Sequence, residues 1–199
     1  VPNGGTDEAW KVDYTYNGDG TPAVQDGIVI EDGEGNQFVW VPVGSINNKD
    51  GTTTTITLGR YTFDETNGTP TLQQNADNYT QRVSIQGNYQ EYGGAKNLGD
   101  FVTKTKVNGG YYLGRYEASK GSNNKVVSKG NQTIWSELTG RAASTYSSST
   151  YRSDEYVESD LVNSYAWDTA IVFIQQYSSH NNYANERKII KSTFGSIRR

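Results

Sequence analysis

The chain has no cysteine, no methionine and a single histidine, His180, among its 199 residues. Without thiols there is no disulfide framework, no thiolate nucleophile and no cysteine-based metal site. Zinc takes several ligands, and a histidine-based triad needs a nucleophile and an orienting acid beside the imidazole. His180 lies instead in the polar tract Ser178-Ser179-His180-Asn181-Asn182 and reads as an exposed loop residue. No apolar run is long enough to span a membrane, and no signal peptide is recognisable, so no membrane contact is expected of this segment. Lys and Arg form no cluster and the net charge is −4, which argues against nucleic acid and anionic membranes as partners. Arg198-Arg199 and the scattered lysines read as solvated surface. The missing methionine, even at position 1, is expected of a processed or excised piece whose targeting segment lies upstream.

What is present is polar and aromatic: 33% hydrophobic and 20% charged residues, with 22 Gly and 15 Tyr beside an excess of Asn, Ser and Thr. Four Trp, five Phe and several Ile/Val/Leu clusters supply enough apolar area for a folded core. This composition predicts a loop-rich α+β domain. A thiol-free, Thr/Asn/Tyr/Gly-biased surface also fits an exported protein of a Gram-positive cell surface. Residues 1–25 read as a linker with one edge strand, Trp10, Val12, Tyr14 and Tyr16 alternating, and residues 26–199 as a single domain.

Two apolar runs, Gly27–Ile30 and Gln37–Val43, flank Glu31-Asp32-Gly33-Glu34-Gly35-Asn36 and predict a β-hairpin. That acidic turn spaces its oxygens as calcium loops do. Val43 stands where an EF-hand places its bidentate Glu, so a plain turn is the stronger reading and no cofactor is expected. Asn48–Gly51 turns the chain into a Thr-rich strand, Thr52–Leu58. Gly59–Asp64, turned by Asn67-Gly68, pairs back with Thr69–Gln73. Leu98, Phe101, Val102 and Thr105 predict a helix over Asn97–Lys106, ended by Gly109. A short helix capped by Thr139 then carries Ala142, Ala143 and Tyr146 inward. A third, capped by Asn163, places Trp167, Ala170, Ile171 and Ile174 on one stripe, widened by Ala166, Phe173 and Tyr177. Between the first two, Gly109–Ser119 has the composition of a central strand. Glu117 within it asks for a partner such as Arg115.

Catalysis has little to draw on. Asp154-Glu155 and Glu158 with Asp160 are sequence neighbours on one loop, not carboxylates facing each other across a cleft. Binding is better served, because Tyr, Ser, Asn and Gly are the residue types of adaptable recognition surfaces. Tyr146, Tyr151, Tyr156, Tyr177, Asn181, Asn182 and Tyr183 are the candidate ligand-binding residues.

Gly110–Ser119, Gly-Tyr-Tyr-Leu-Gly-Arg-Tyr-Glu-Ala-Ser, resembles the F-x-I-G-x-Y-E-V-T strand of the formylglycine-generating, sulfatase-modifying family. Leu138-Thr139 with Ala143 and Tyr146 resembles its V-S-W-x-x-A-x-x-Y segment, with Gly140 in place of the Trp. Leu161–Ala170 resembles L-P-T-E-A-E-W-E-Y-A and keeps the Leu, Trp, acid and Ala. Gly35–Val43 is similar to the G-N-x-F-V-W-V-P-V opening of a subgroup from gut Firmicutes that often follows a type IV prepilin-like segment. The resemblance implies a variant of the C-type lectin-like fold with a mixed sheet and about three helices. Trp40, Tyr112, Arg115, Tyr116, Glu117 and Trp167 would be scaffold residues in it. The family's enzymes bind copper through cysteines that this chain lacks, so their oxidase activity does not carry over. Their C-terminal G-N-V-W-E-W and G-F-R motifs have no match in Glu186–Arg199, so the fold is expected to be truncated or divergent after about residue 178. The implied role is a non-enzymatic, extracellular recognition or adhesion module on a bacterial surface or pilus, binding a surface protein or glycan. The alternative is a pilin-like subunit that self-associates in a filament.

Overall fold

Turn chemistry builds the first hairpin. Strand β2 (Val29–Asp32) pairs antiparallel with β3 (Gln37–Pro42), and the turn between them closes on the Asp32 carboxylate. Its Oδ1 accepts hydrogen bonds from the backbone N–H groups of Glu34 and Asn36, at 2.9 and 2.8 Å. The structure, a computed structural model, describes residues 10–13, 24, 27–48, 50–79, 98–151 and 157–177. Strand β1 (Trp10–Asp13) lies along β2, so the predicted edge strand belongs to the main sheet. Strands β4 (Gly44–Asn47) and β5 (Thr53–Ile56) form a second hairpin, and β6 (Gly59–Phe63) and β7 (Pro70–Asn75) a third. Helices α1 (Leu98–Asn108), α2 (Gly140–Ser149) and α3 (Ser164–Gln176) complete an α+β architecture. The two later helices start on the predicted caps: Thr139 accepts from the Ala142 N–H, and Asn163 from the Ala166 N–H.

Among the described residues, the mixed sheet expected from the family resemblance does not form. Among the described residues every strand pair is antiparallel. The largest sheet has four strands in the order β1-β2-β3-β8. Strand β8 spans only Gly110–Gly114 and lies at the edge, so Gly109–Ser119 is not one central strand. The ladder ends where the Arg115 N–H reaches the Gln37 carbonyl at 3.0 Å. Beyond it the Ser128 hydroxyl takes the Tyr116 N–H at 3.2 Å, and the chain turns away. Tyr116 and Glu117 are therefore exposed and outside any strand, and the Arg115 guanidinium donates to Gln37 Oε1 at 2.9 Å. At the other end, Gly110 lets the backbone pass Trp40: a Cβ there would lie 2.5 Å from the indole Cζ2 and from the Val41 carbonyl oxygen.

The core gathers Val41, Ile56, Leu58, Val102 and Tyr111 with Tyr165, Ala166, Ala170 and Phe173 of α3. Of the stripe that the apolar pattern of α3 predicts, Ala166, Ala170 and Phe173 are buried and Tyr177 packs against the core, but the buried face is turned away from the rest. Trp167 and Ile171 are half-buried and Ile174 is 38% exposed, while Tyr165, Asp168, Thr169 and Val172 are buried. Two polar residues turn the helix this way. Asp168 Oδ2 accepts from the Tyr61 N–H at 2.9 Å and from Arg60 Nε at 2.7 Å. Thr169 Oγ1 accepts from the Gly59 N–H at 3.1 Å, and the buried Tyr111 hydroxyl donates to the Ala166 carbonyl at 2.5 Å. These bonds satisfy backbone groups at the start of β6 that would otherwise be buried unpaired.

Removing an acceptor here should cost more than removing its charge partner. Asp168→Ala is expected to lower unfolding free energy by about 2–3 kcal/mol, because it strips the half-buried Tyr61 N–H and Arg60 of their charged acceptor, and Thr169→Val by about 1–3 kcal/mol, because it leaves the buried Gly59 N–H unsatisfied. Arg60→Gln should cost less than about 1 kcal/mol, since its side chain keeps 44% of its surface in solvent and screening weakens the pair. Urea unfolding of the three variants checks this order, and an Arg60 effect as large as that of Asp168 would contradict it.

Candidate functional site

After β8 the chain forms a small platform on the hairpin β2–β3. Strand β9 (Ser119–Lys120) pairs antiparallel with β10 (Val126–Val127). Ser128 then ties this unit down. Its N–H donates to Asn36 Oδ1 at 3.0 Å, its carbonyl accepts from the Gln37 N–H at 2.9 Å, and its hydroxyl reaches the Gln37 carbonyl at 3.0 Å. Tyr151, just past α2, anchors the opposite side: its hydroxyl donates to Asp32 Oδ2 at 2.6 Å and its ring packs edge-on against Phe38. At the end of α2, Thr150 accepts from the Val126 N–H at 3.2 Å.

On this platform lies an open groove of about 390 Å³, lined by Ser119, Lys120, Gln132, Thr133, Ile134, Trp135 and Ser136. Its back wall is laid along β9 by a bridge from Ile134 to Ser119 and a 2.8 Å bond from the Trp135 N–H to the Ala118 carbonyl. Asn131 and Glu137, at either end of residues 132–136, hold left-handed backbone conformations with φ of 59° and 63°. Such conformations cost energy in a residue with a side chain and are kept where the surrounding structure imposes them. Trp135 stacks on Tyr146 of α2, with centroids 4.9 Å apart and planes within 18°. The Lys120 ammonium lies 5.4 Å from the indole centre. Trp135 is thus in contact with both Tyr146 and Lys120. Such a cation–π contact is worth about 0.5–1 kcal/mol at an exposed site. Lys104, Lys106 and Lys125 pair with carboxylates, of Asp100 and Glu158, Asp77, and Glu34. Among the described residues no carboxylate pairs with Lys120.

Of the predicted ligand-binding residues that are described, none lines this groove; Tyr146 touches it only indirectly, through its stack on Trp135. Tyr151 is turned inward to Asp32, and Tyr177 packs against the core with its hydroxyl on the Thr55 carbonyl at 3.2 Å. Both spend their hydroxyls on partners within the fold. Tyr156, Asn181, Asn182 and Tyr183 lie outside the described residues, as do His180 and the pair Asp154-Glu155. Tyr112 is 36% exposed and packs on the half-buried Trp40, with centroids 4.9 Å apart. Lys120 and Trp135 did not stand out in the sequence. The available signal was Trp135 itself, a large aromatic in the polar stretch Asn131–Ser136 with no periodic pattern to bury it.

The acidic turn at Asp32 is held by protein donors. Its four hydrogen bonds come from the Glu34 N–H, the Asn36 N–H, Asn36 Nδ2 and the Tyr151 hydroxyl. Among the described residues no group of three or more His, Asp or Glu side chains gathers as a metal site would require. No described helix is long and apolar enough to cross a membrane. The chain matches no protein-family model, no curated protein and no solved structure.

Burial raises the Asp32 pKa, but the bonds from Tyr151, Asn36 and the backbone outweigh it and hold the carboxyl below its ordinary 3.8. Burial, and then the bond to Asp32, push the Tyr151 phenol well up, so it stays a neutral donor. A depressed carboxyl stabilises the fold above its unfolded-state value and loses that contribution as the pH falls through the folded one. Stability is therefore expected to fall as the pH drops through 3.8 and below. In Tyr151→Phe, which removes a donor to the carboxylate, the acid loss should be shallower. Denaturant midpoints measured across the acid range check this, and identical slopes for the two proteins would refute it.

Proposed function

We propose that this chain is a non-enzymatic recognition module, displayed on a bacterial surface or pilus and binding a protein or glycan ligand. The observation that carries this reading is the groove beside Trp135: an indole stacked on Tyr146, a Lys120 ammonium with no carboxylate partner among the described residues, and the polar residues Gln132, Thr133 and Ser136. A few placed polar groups around an aromatic surface are the usual furniture of a small-ligand cleft, and the groove's volume lies at the small end of the roughly 300–1,000 Å³ such clefts span. The resemblance of Gly110–Ser119 and Leu161–Ala170 to the formylglycine-generating family supports a C-type lectin-like scaffold for it, without that family's oxidase chemistry. A second reading, a pilin-like subunit packed in a filament, draws on the exposed apolar side chains Val162 and Ile174 at α3.

Purified protein screened on glycan and host-protein arrays is expected to give specific binders. Trp135→Ala, shown to be folded by circular dichroism, should lose at least about tenfold in affinity, as the loss of one good stacking contact would give. Well-folded wild-type protein with no binders on either array would sink the recognition reading. Concentration-dependent assembly into filaments, abolished by charged residues at Val162 and Ile174, would favour the second one.

A further inference from the structure

Resting on that recognition reading, we propose that the groove takes an acidic saccharide, its carboxylate held by Lys120 and a sugar ring laid beside Trp135. The first ground is charge. In a chain of net charge −4, Lys120 is a cation with no carboxylate partner among the described residues, held in place over an aromatic ring. An ammonium positioned in this way has already given up part of its side-chain freedom, so pairing it with an anion costs less further ordering. The second ground is the lining. Gln132, Thr133 and Ser136 are exposed hydrogen-bonding side chains, and the apolar contributions come from Trp135 and Ile134. That is a poor match for the apolar anchors of a folded peptide motif. It suits a pyranose, which offers hydroxyls around its rim and C–H groups on its face. The third ground is rigidity. Trp135 is fixed by Tyr146 on one side and by its own N–H on the Ala118 carbonyl, so the ring is in place before a ligand arrives. The groove is open along the surface, as a segment of a longer glycan requires.

The test uses the whole chain and isothermal titration with short oligosaccharides of glucuronic, galacturonic and sialic acid, each paired with its carboxyl-reduced counterpart. At least one acid is expected to bind about tenfold or more tightly than its reduced form, and to weaken as salt is raised. Lys120→Gln, a substitution at an exposed position, should bring the ratio of acid to reduced-sugar affinity, measured on the same variant, down to about one. Lys120→Arg should retain the preference. Equal binding of acid and reduced forms, or a preference that survives Lys120→Gln, would overturn the acidic assignment while the recognition reading stands. No binding of any acid by folded protein would also overturn it, and the array result on the same preparation then tells whether recognition itself has failed. A tetra-glutamate peptide that binds as tightly as the best saccharide and is equally weakened by Lys120→Gln would reassign the groove to acidic peptides.

Discussion

Two polar side chains on one turn of α3 hold the start of β6, and much of the core depends on that contact. Asp168 and Thr169 accept the N–H groups of Tyr61 and Gly59, residues far away along the chain. Backbone donors at a strand start have no partner in their own element. Burying them without acceptors would cost about 1–3 kcal/mol each. With the acceptors supplied, the helix can press Tyr165, Ala166, Ala170 and Phe173 against Ile56, Leu58 and Val41. The Tyr111 hydroxyl adds a bond to the Ala166 carbonyl, so the same helix also locks onto the edge strand of the main sheet.

That contact also explains where the sequence could be read and where it could not. The hairpins were legible because their turns carry their own chemistry: Asp32, Asp50 and Asp64 each accept backbone N–H groups from residues just downstream. Helix starts were legible for the same reason, through Thr139 and Asn163. The face of α3 was legible only in part: Ala166, Ala170 and Phe173 are buried as the spacing predicts. Apolar spacing favours Trp167, Ile171 and Ile174, whereas the buried face includes Asp168 and Thr169, whose polarity is cancelled by partners that sequence spacing does not reveal. Gly109–Ser119 failed differently. Tyr-rich composition marks strand-forming material, but the ladder stops at the point where Ser128 competes for the Tyr116 backbone.

The groove was illegible because its parts come from segments that look like loops. Lys120 belongs to a two-residue strand and Trp135 to a stretch with neither helical nor alternating pattern. They meet because Ser128 and Asn36 hold β10 to the first hairpin and because Thr150 ties the end of α2 to Val126. Tyr146 was marked for its residue type, and it stacks on Trp135 without lining the groove itself. Tyr151 and Tyr177 share that type but spend their hydroxyls on Asp32 and on the Thr55 carbonyl. Residue type alone does not separate a tyrosine that faces a ligand from one that completes a buried network.

The fold thus keeps its stabilising polar contacts and its candidate ligand contacts in different places. Asp168, Thr169, Asn36 and Asp32 are buried with their acceptors filled, whereas Lys120, Gln132, Thr133 and Ser136 are exposed around one indole ring. Side chains of the second kind can be exchanged without leaving a buried group unpaired, so their substitution costs little in folding. The platform is rigid for the opposite reason. Its ties to the hairpin run through Asn36, which has no exposed surface, and through Ser128, which has almost none, so they do not compete with water. The exposed groove residues can therefore be exchanged while the frame beneath them stays the same.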